Sequence, residues 1–149
     1  MNLMGSVGCV TSLVLGFAPR AFAGDANKVT WHNDVTTAWK ASQENRRPLL
    51  VFVTKDHCFY CVQMKQRTYS DAYVAGTISG SFVPLVLDGA GNSPLLKDLR
   101  VTSYPSTFVI SPEAVILDRI DGFVPPDAFA SRLNAFRPRI PVAQVTKEP

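Results

Sequence analysis

The sequence is 149 residues long, 46% hydrophobic, 10% aromatic and 18% charged, with 11 prolines and 9 glycines. That is room for one modest domain with a packed core, and it excludes a wholly disordered, collagen-like or coiled-coil chain. The 15 Lys and Arg against 12 Asp and Glu leave a formal charge of +3, and the basic residues are scattered. Phosphate contacts need clustered cations, so nucleic acid is not an expected partner. The 3 cysteines are too few for a disulfide-stapled miniprotein and one too many for a single bridge.

Met1 to Ala23 differs from the rest. Val7 to Ala18 is almost free of charge, and Pro19-Arg20 leads into Ala21-Phe22-Ala23 ahead of Gly24-Asp25. Small residues at Ala21 and Ala23, either side of Phe22, fit a signal peptidase site after Ala23. The apolar run is shorter than the roughly 20 residues a membrane-spanning helix needs. No Lys or Arg precedes it, so the usual basic start of a leader is missing, and Ser6-Val7-Gly8 before Cys9 is a poor lipoprotein signal. The reading is a leader over 1–23 and an exported protein, periplasmic or secreted. Cleavage removes Cys9 and leaves an even pair, Cys58 and Cys61.

In the remainder, Val35, Ala38, Trp39 and Ser42 recur at helical spacing, with Asn33 or Asp34 placed to cap the helix. Arg46-Arg47-Pro48 ends it. Leu49 to Val53 is a continuous apolar run rich in β-branched residues, as in a strand buried on both faces. The segment Thr54 to Cys61 follows, then helix-compatible residues to about Tyr69. Ser70 or Asp71 can cap a short helix from Ala72 to Ser79, weakened by Gly76. Phe82 to Leu87 reads as a second strand, and Ser93-Pro94 opens a short helix through Leu99. Thr107 to Ile110 and Val115 to Ile120 read as a hairpin around Ser111-Pro112-Glu113-Ala114. Pro125-Pro126-Asp127 starts a last helix with Phe129, Leu133 and Phe136 on one face. Trp31, Trp39, Phe129 and Phe136 are expected in the core, His32 on the surface or beside a cap. From Arg137 on, prolines punctuate a polar tail, read as flexible over 137–149.

A helix between the first two strands makes them parallel, and a tight turn between the last two makes them antiparallel. The expected fold is α/β: a mixed sheet with helices on both faces, in one domain over 24–136.

Cys58 and Cys61 stand where a strand ends and a helix begins. On a first helical turn, positions i and i+3 share a face about 5–6 Å apart, within disulfide reach. The first cysteine lies beside unpaired backbone N–H groups at the positive end of the helix dipole, which stabilises a thiolate. Cys58 is therefore the expected nucleophile toward a client disulfide, and Cys61, one turn inside, the resolving thiol that releases the reduced client. Lys55, and His57 when protonated, favour the Cys58 thiolate, whereas Asp56 opposes it. Phe59 and Tyr60 can form an apolar client-contact rim or pack on the domain surface.

At these residues the chain resembles the thioredoxin-like superfamily, over roughly Pro48 to Phe136. The likeness rests on the strand leading to Cys58-Phe59-Tyr60-Cys61 and its helix, and on Val101-Thr102-Ser103-Tyr104-Pro105-Ser106-Thr107 before the hairpin. It is greatest with exported members, including the C-terminal domain of the transmembrane thiol–disulfide reductant, which share a segment like Thr68-Tyr69-Ser70-Asp71. The resemblance implies a thioredoxin fold, a redox-active Cys58–Cys61 disulfide, and a cis-proline at Pro105 beside the pair. It also implies client contact at the Tyr104-Pro105 loop, where Tyr104 can gate access or fill the groove. The sequence departs from cytosolic thioredoxin in several places. His57 precedes the pair, Phe52 stands where that protein has a buried aspartate, and Pro84 matches the accompanying lysine. The usual proton relay for the buried cysteine is therefore missing, and water or another acid must replace it.

The expected activity is protein thiol–disulfide exchange, and the resemblance favours a reductant over an oxidant. Expected partners are client proteins with disulfides or dithiols and a membrane or soluble redox donor; a monomer without cofactor or metal is expected. Two alternatives remain at this level. One is a structural disulfide, although closing so short a loop stabilises little. The other is Cu(I) or zinc held by His57, Cys58 and Cys61, with His32 as a remote fourth ligand. Adjacent His57 and Cys58 converge poorly on one ion. Val62 after Cys61 excludes haem attachment.

Overall fold

The computed structural model describes residues 28–91 and 93–137. The expected leader with its cut after Ala23, and the tail beyond Arg137, lie outside these residues. Helix α1 (Val35–Asn45) starts where the Asp34 carboxylate accepts the Thr37 N–H at 2.7 Å, and it ends at Arg46 in the left-handed region, φ 50°. Asp34 is held below the ordinary carboxylate range by the Thr37 hydroxyl and then by its N–H. Strand β1 (Leu49–Thr54) follows, then α2 (Phe59–Gln63), a π-helical turn (Met64–Thr68) and α3 (Ala72–Ser81). Strand β2 (Val83–Asp88), α4 (Pro94–Asp98), the hairpin of β3 (Ser106–Ile110) and β4 (Ile116–Asp121), and α5 (Pro126–Asn134) complete the order.

The sheet has 4 strands in the order β2-β1-β3-β4. β1 runs parallel to β2, with Leu49 opposite Val83, and antiparallel to β3, with Val53 opposite Ser106. The C-terminal ends of β1 and β2 and the N-terminal end of β3 therefore share one edge of the sheet. This is the α/β mixed sheet expected from the element order.

The unbroken apolar run of β1 is explained by a core on each face. Leu50 and Phe52 pack with Cys61, Met64, Tyr69, Ile78, Phe129 and Leu133; Leu49, Val51 and Val53 pack with Ala38, Leu85, Leu99 and Phe108. Burying each such side chain contributes about 1.5–3 kcal/mol, which makes β1 the centre of the fold.

The structure departs from the sequence reading in three ways. The helix after the cysteines changes pitch: beyond Gln63 it widens into the π turn, closed by Tyr69 N–H to Met64 C=O at 2.9 Å. The wider turn keeps Met64, Thr68 and Tyr69 all buried. His32 is not simply a surface or cap residue, because its N–H and C=O bond Pro84 and Val86 at 2.9 Å each, adding a short parallel pairing outside β2. Backbone pairing of one residue leaves no hydropathy pattern to read. Among the expected core aromatics Phe129 is fully buried, while Trp31, Trp39 and Phe136 pack at the margin, half-buried.

Candidate active site

The edge where β1 ends carries the cysteine loop. Thr54 C=O accepts the Gly89 N–H at 2.7 Å, tying the ends of β1 and β2 together. Lys55 and Asp56 are exposed, and His57 sits in the left-handed region at φ 55°. That conformation, costly for a residue with a Cβ, turns the chain into α2. Cys58 is the N-cap: its backbone is extended and its Sγ accepts the Cys61 N–H at 3.2 Å. Cys58 and Cys61 form a disulfide with Cα atoms 5.2 Å apart.

The two sulfurs occupy unlike surroundings. Cys58 is half-buried, whereas Cys61 is 1% exposed and packs among Phe52, Met64 and Tyr69. The solvent-facing sulfur is therefore that of Cys58, and it already accepts a helix-start N–H that would stabilise negative charge on it. No carboxylate is buried among the described residues, so no acid lies beneath Cys61. Tyr69 is the nearest thing to a buried titratable group there, its hydroxyl sharing a hydrogen bond of 2.8 Å with that of Thr107. Burial pushes the Tyr69 phenol well above its ordinary range, against the opposing effect of Thr107. It stays protonated and takes no proton from Cys61.

The remaining expected residues gather at the same edge. Phe59 and Tyr60 are 69% and 58% exposed, their rings edge-on at 5.4 Å. Neither ring is buried against the domain. The Tyr104–Pro105 peptide is cis, and Pro105 is buried immediately before β3. Tyr104 fills a groove: its hydroxyl donates to Gly89 C=O at 3.1 Å, and a Cβ on Gly89 would overlap its ring. Gly89 is glycine to admit that ring. No hydrogen bond among the described residues engages the Tyr104 main-chain N–H or C=O.

Sequence reasoning missed Lys65, Gly89 and the Tyr69–Thr107 pair. Lys65 lines the open cleft that also holds Lys55, His57, Cys58 and Cys61. Its position seven residues after Cys58 is a helical-face signal that could have found it. Gly89 and Thr107 contribute through contacts distant in sequence and carry no such signal. No group of 3 or more His, Cys, Asp and Glu placed to hold a metal occurs among the described residues. No helix among them is long and apolar enough to cross a membrane.

The model of the thioredoxin-like domain family matches residues 35–137. The chain belongs to the thioredoxin-like family. Solved structures of similar fold include DsbH oxidoreductase, 18% identical, with a TM-score of 0.62 over 85% of this chain and 93% of that one. The oxidised DsbD C-terminal domain of Neisseria meningitidis is 21% identical, with a TM-score of 0.61 over 72% of this chain and 100% of that one. A thioredoxin from Thermus thermophilus is 24% identical, with a TM-score of 0.63 over 72% and 86% of the two chains. At these identities the likeness is one of fold. No curated relative matches the sequence.

Proposed function

We propose that this thioredoxin-like protein is an exported protein thiol–disulfide oxidoreductase, acting on client disulfides mainly as a reductant. The observation that supports it most is the asymmetry of the pair. A half-buried Cys58 sulfur accepts a helix-start N–H, and its partner Cys61 is sealed in the core. In the reduced protein the Cys58 thiolate attacks a client disulfide, forms a mixed disulfide and expels one client thiolate. Cys61, giving its proton to water, then attacks the Cys58 sulfur and expels the second client thiolate. Both client thiolates take protons from solvent, so the client gains two electrons and the protein ends as the Cys58–Cys61 disulfide. A redox donor, membrane-bound or soluble, returns it to the dithiol.

Phe59 and Tyr60 receive apolar client side chains, and the free main-chain groups of Tyr104 beside Pro105 pair with extended client backbone. Lys55, and His57 when protonated, favour the thiolate, and Asp56 opposes it. In this reading the leader is removed after Ala23, which amino-terminal sequencing of the exported protein checks.

The decisive test is reduction of a protein disulfide by dithiothreitol. The protein should accelerate it, Cys58→Ser should abolish the acceleration, and Cys61→Ser should accumulate mixed disulfide. Full activity in Cys58→Ser would falsify the mechanism. The direction is tested by equilibrating the pair with glutathione: a potential near −270 mV fits a reductant, and one near about −120 mV an oxidant.

A further inference from the structure

The lining of the cysteine cleft carries two lysines against one carboxylate. Lys55, His57 and Lys65 line it, and Asp56 is the sole carboxylate among the lining residues. Both lysines are exposed, yet each ammonium is seated against an aromatic ring. Lys55 Nζ lies 5.7 Å from the centre of Tyr104, and Lys65 Nζ lies 5.8 Å from the centre of Phe52. The rings are themselves held in place. Tyr104 is bonded to Gly89 C=O at 3.1 Å, and Phe52 is 1% exposed within the core.

Neither lysine has an ion-pair partner among the described residues. Asp88, at the end of β2 beside Thr54, turns its carboxylate into its own loop, accepting the Ala90 N–H at 3.0 Å. An ammonium resting on a ring keeps its charge while losing part of its side-chain freedom in advance. It therefore gives up less on meeting an anion than a free lysine does.

We propose that this cleft is a binding subsite for acidic peptide. Clients whose reacting cysteine is flanked by Asp or Glu are held through Lys55 and Lys65, and they exchange faster than neutral or basic ones. The proposal rests on the exchange reading above and adds the client class to it. Exposed charge contacts are individually weak, so the expected preference for acidic over neutral client is about three- to tenfold in kcat/KM at low salt. It should vanish near about 1 M salt, where the screening length falls to about 3 Å.

The test uses peptides of one length carrying a disulfide-linked reporter, with the cysteine flanked by two Asp, two Gln or two Lys. The acidic-to-neutral ratio of kcat/KM is measured for the unmodified protein and for Lys55→Gln/Lys65→Gln. Taking the ratio within each protein cancels whatever the substitutions do to the thiolate. The ratio should fall to about one in the double variant and in high salt. A ratio of one in the unmodified protein, or one that survives the double substitution, overturns the proposal.

A second readout separates this idea from the exchange chemistry. The acidic peptide with Ser in place of its Cys is titrated against the oxidised protein by fluorescence anisotropy. Stronger binding of the acidic than the Gln peptide, lost in the double variant, supports the subsite even if no peptide is turned over. In that event the exchange reading alone fails. Equal binding of the two peptides overturns the subsite whatever the turnover.

Discussion

The two flanks of β3 treat charge in opposite ways. On the β4 side the charges of the strand itself are matched: Arg119 donates to Asp121 at 2.8 Å, and Arg132 grips Asp118 through two nitrogens. Asp121 also accepts the hydroxyls of Ser103 at 3.2 Å and Ser106 at 2.8 Å, which bracket Tyr104 and Pro105. On the β1 side Lys55 and Lys65 rest on rings and meet no carboxylate among the described residues. Matched charges spend their interaction inside the protein and hold the proline loop in shape. Unmatched ones leave that interaction for a client. The site is framed by a hydrogen-bonded, ion-paired wall on one side and an open cleft on the other, with two lysines unpaired among the described residues.

Substitutions on the two flanks should therefore separate stability from exchange. The largest effect is expected from Phe52→Ala, which removes a fully buried ring from beneath Lys65 and Cys61. Chemical denaturation should show a loss of about 3–5 kcal/mol. Gly89→Ala drives a methyl into the Tyr104 ring and should cost about 1–3 kcal/mol, with exchange slowed as the ring and Lys55 are displaced. Tyr69→Phe leaves the buried Thr107 hydroxyl without its partner and should cost about 1–2 kcal/mol by the same measurement. Because Tyr69 holds its proton, the pH profile of exchange should not move. A shifted profile in Tyr69→Phe would show that the phenol takes part in proton transfer after all.

The smallest and most diagnostic effect lies at Asp121. The Arg119 hydrogen bond lowers its pKa below the ordinary carboxylate range against the opposing pull of desolvation, and the Ser106 and Ser103 hydroxyls add smaller lowering effects. A depressed folded pKa adds stability that is present above the unfolded value and is lost as pH falls through the folded one. The side chain is 45% exposed, so solvent limits that contribution to about 0.2–1 kcal/mol. Asp121→Asn should be less stable than the parent at pH 7, and the difference should close on acidification through the carboxylate range. A gap independent of pH would show that the group acts by shape and not by charge.

Much of this was readable along the chain. The apolar run Leu49 to Val53, the spacing of Cys58 and Cys61, and the prolines at 94 and 126 are local signals, and each became the expected element within a residue or two. The π turn was not legible, because residues 59–69 suit either helical pitch and the packing of Met64 and Tyr69 selects the wider one. The Tyr104–Gly89 bond joins residues 15 apart, and Tyr69–Thr107 joins residues 38 apart, so neither has a periodic trace. The presence of Phe52 instead of an acid could be read from one position. That nothing else supplies an acid there required the whole core.

The sequence by itself determined the kind of site: two cysteines one helical turn apart at a strand-to-helix junction, with no buried aspartate at residue 52. These follow from spacing and residue type, which are local and need no fold. The tertiary structure decided which sulfur is sealed and which faces solvent, that Tyr104 is locked by Gly89, and that two lysines meet in one cleft. Burial and charge at a site are sums over neighbours brought together by the sheet. Only the closed packing of β1, β2, β3 and the helix after Cys58 gives those sums their values.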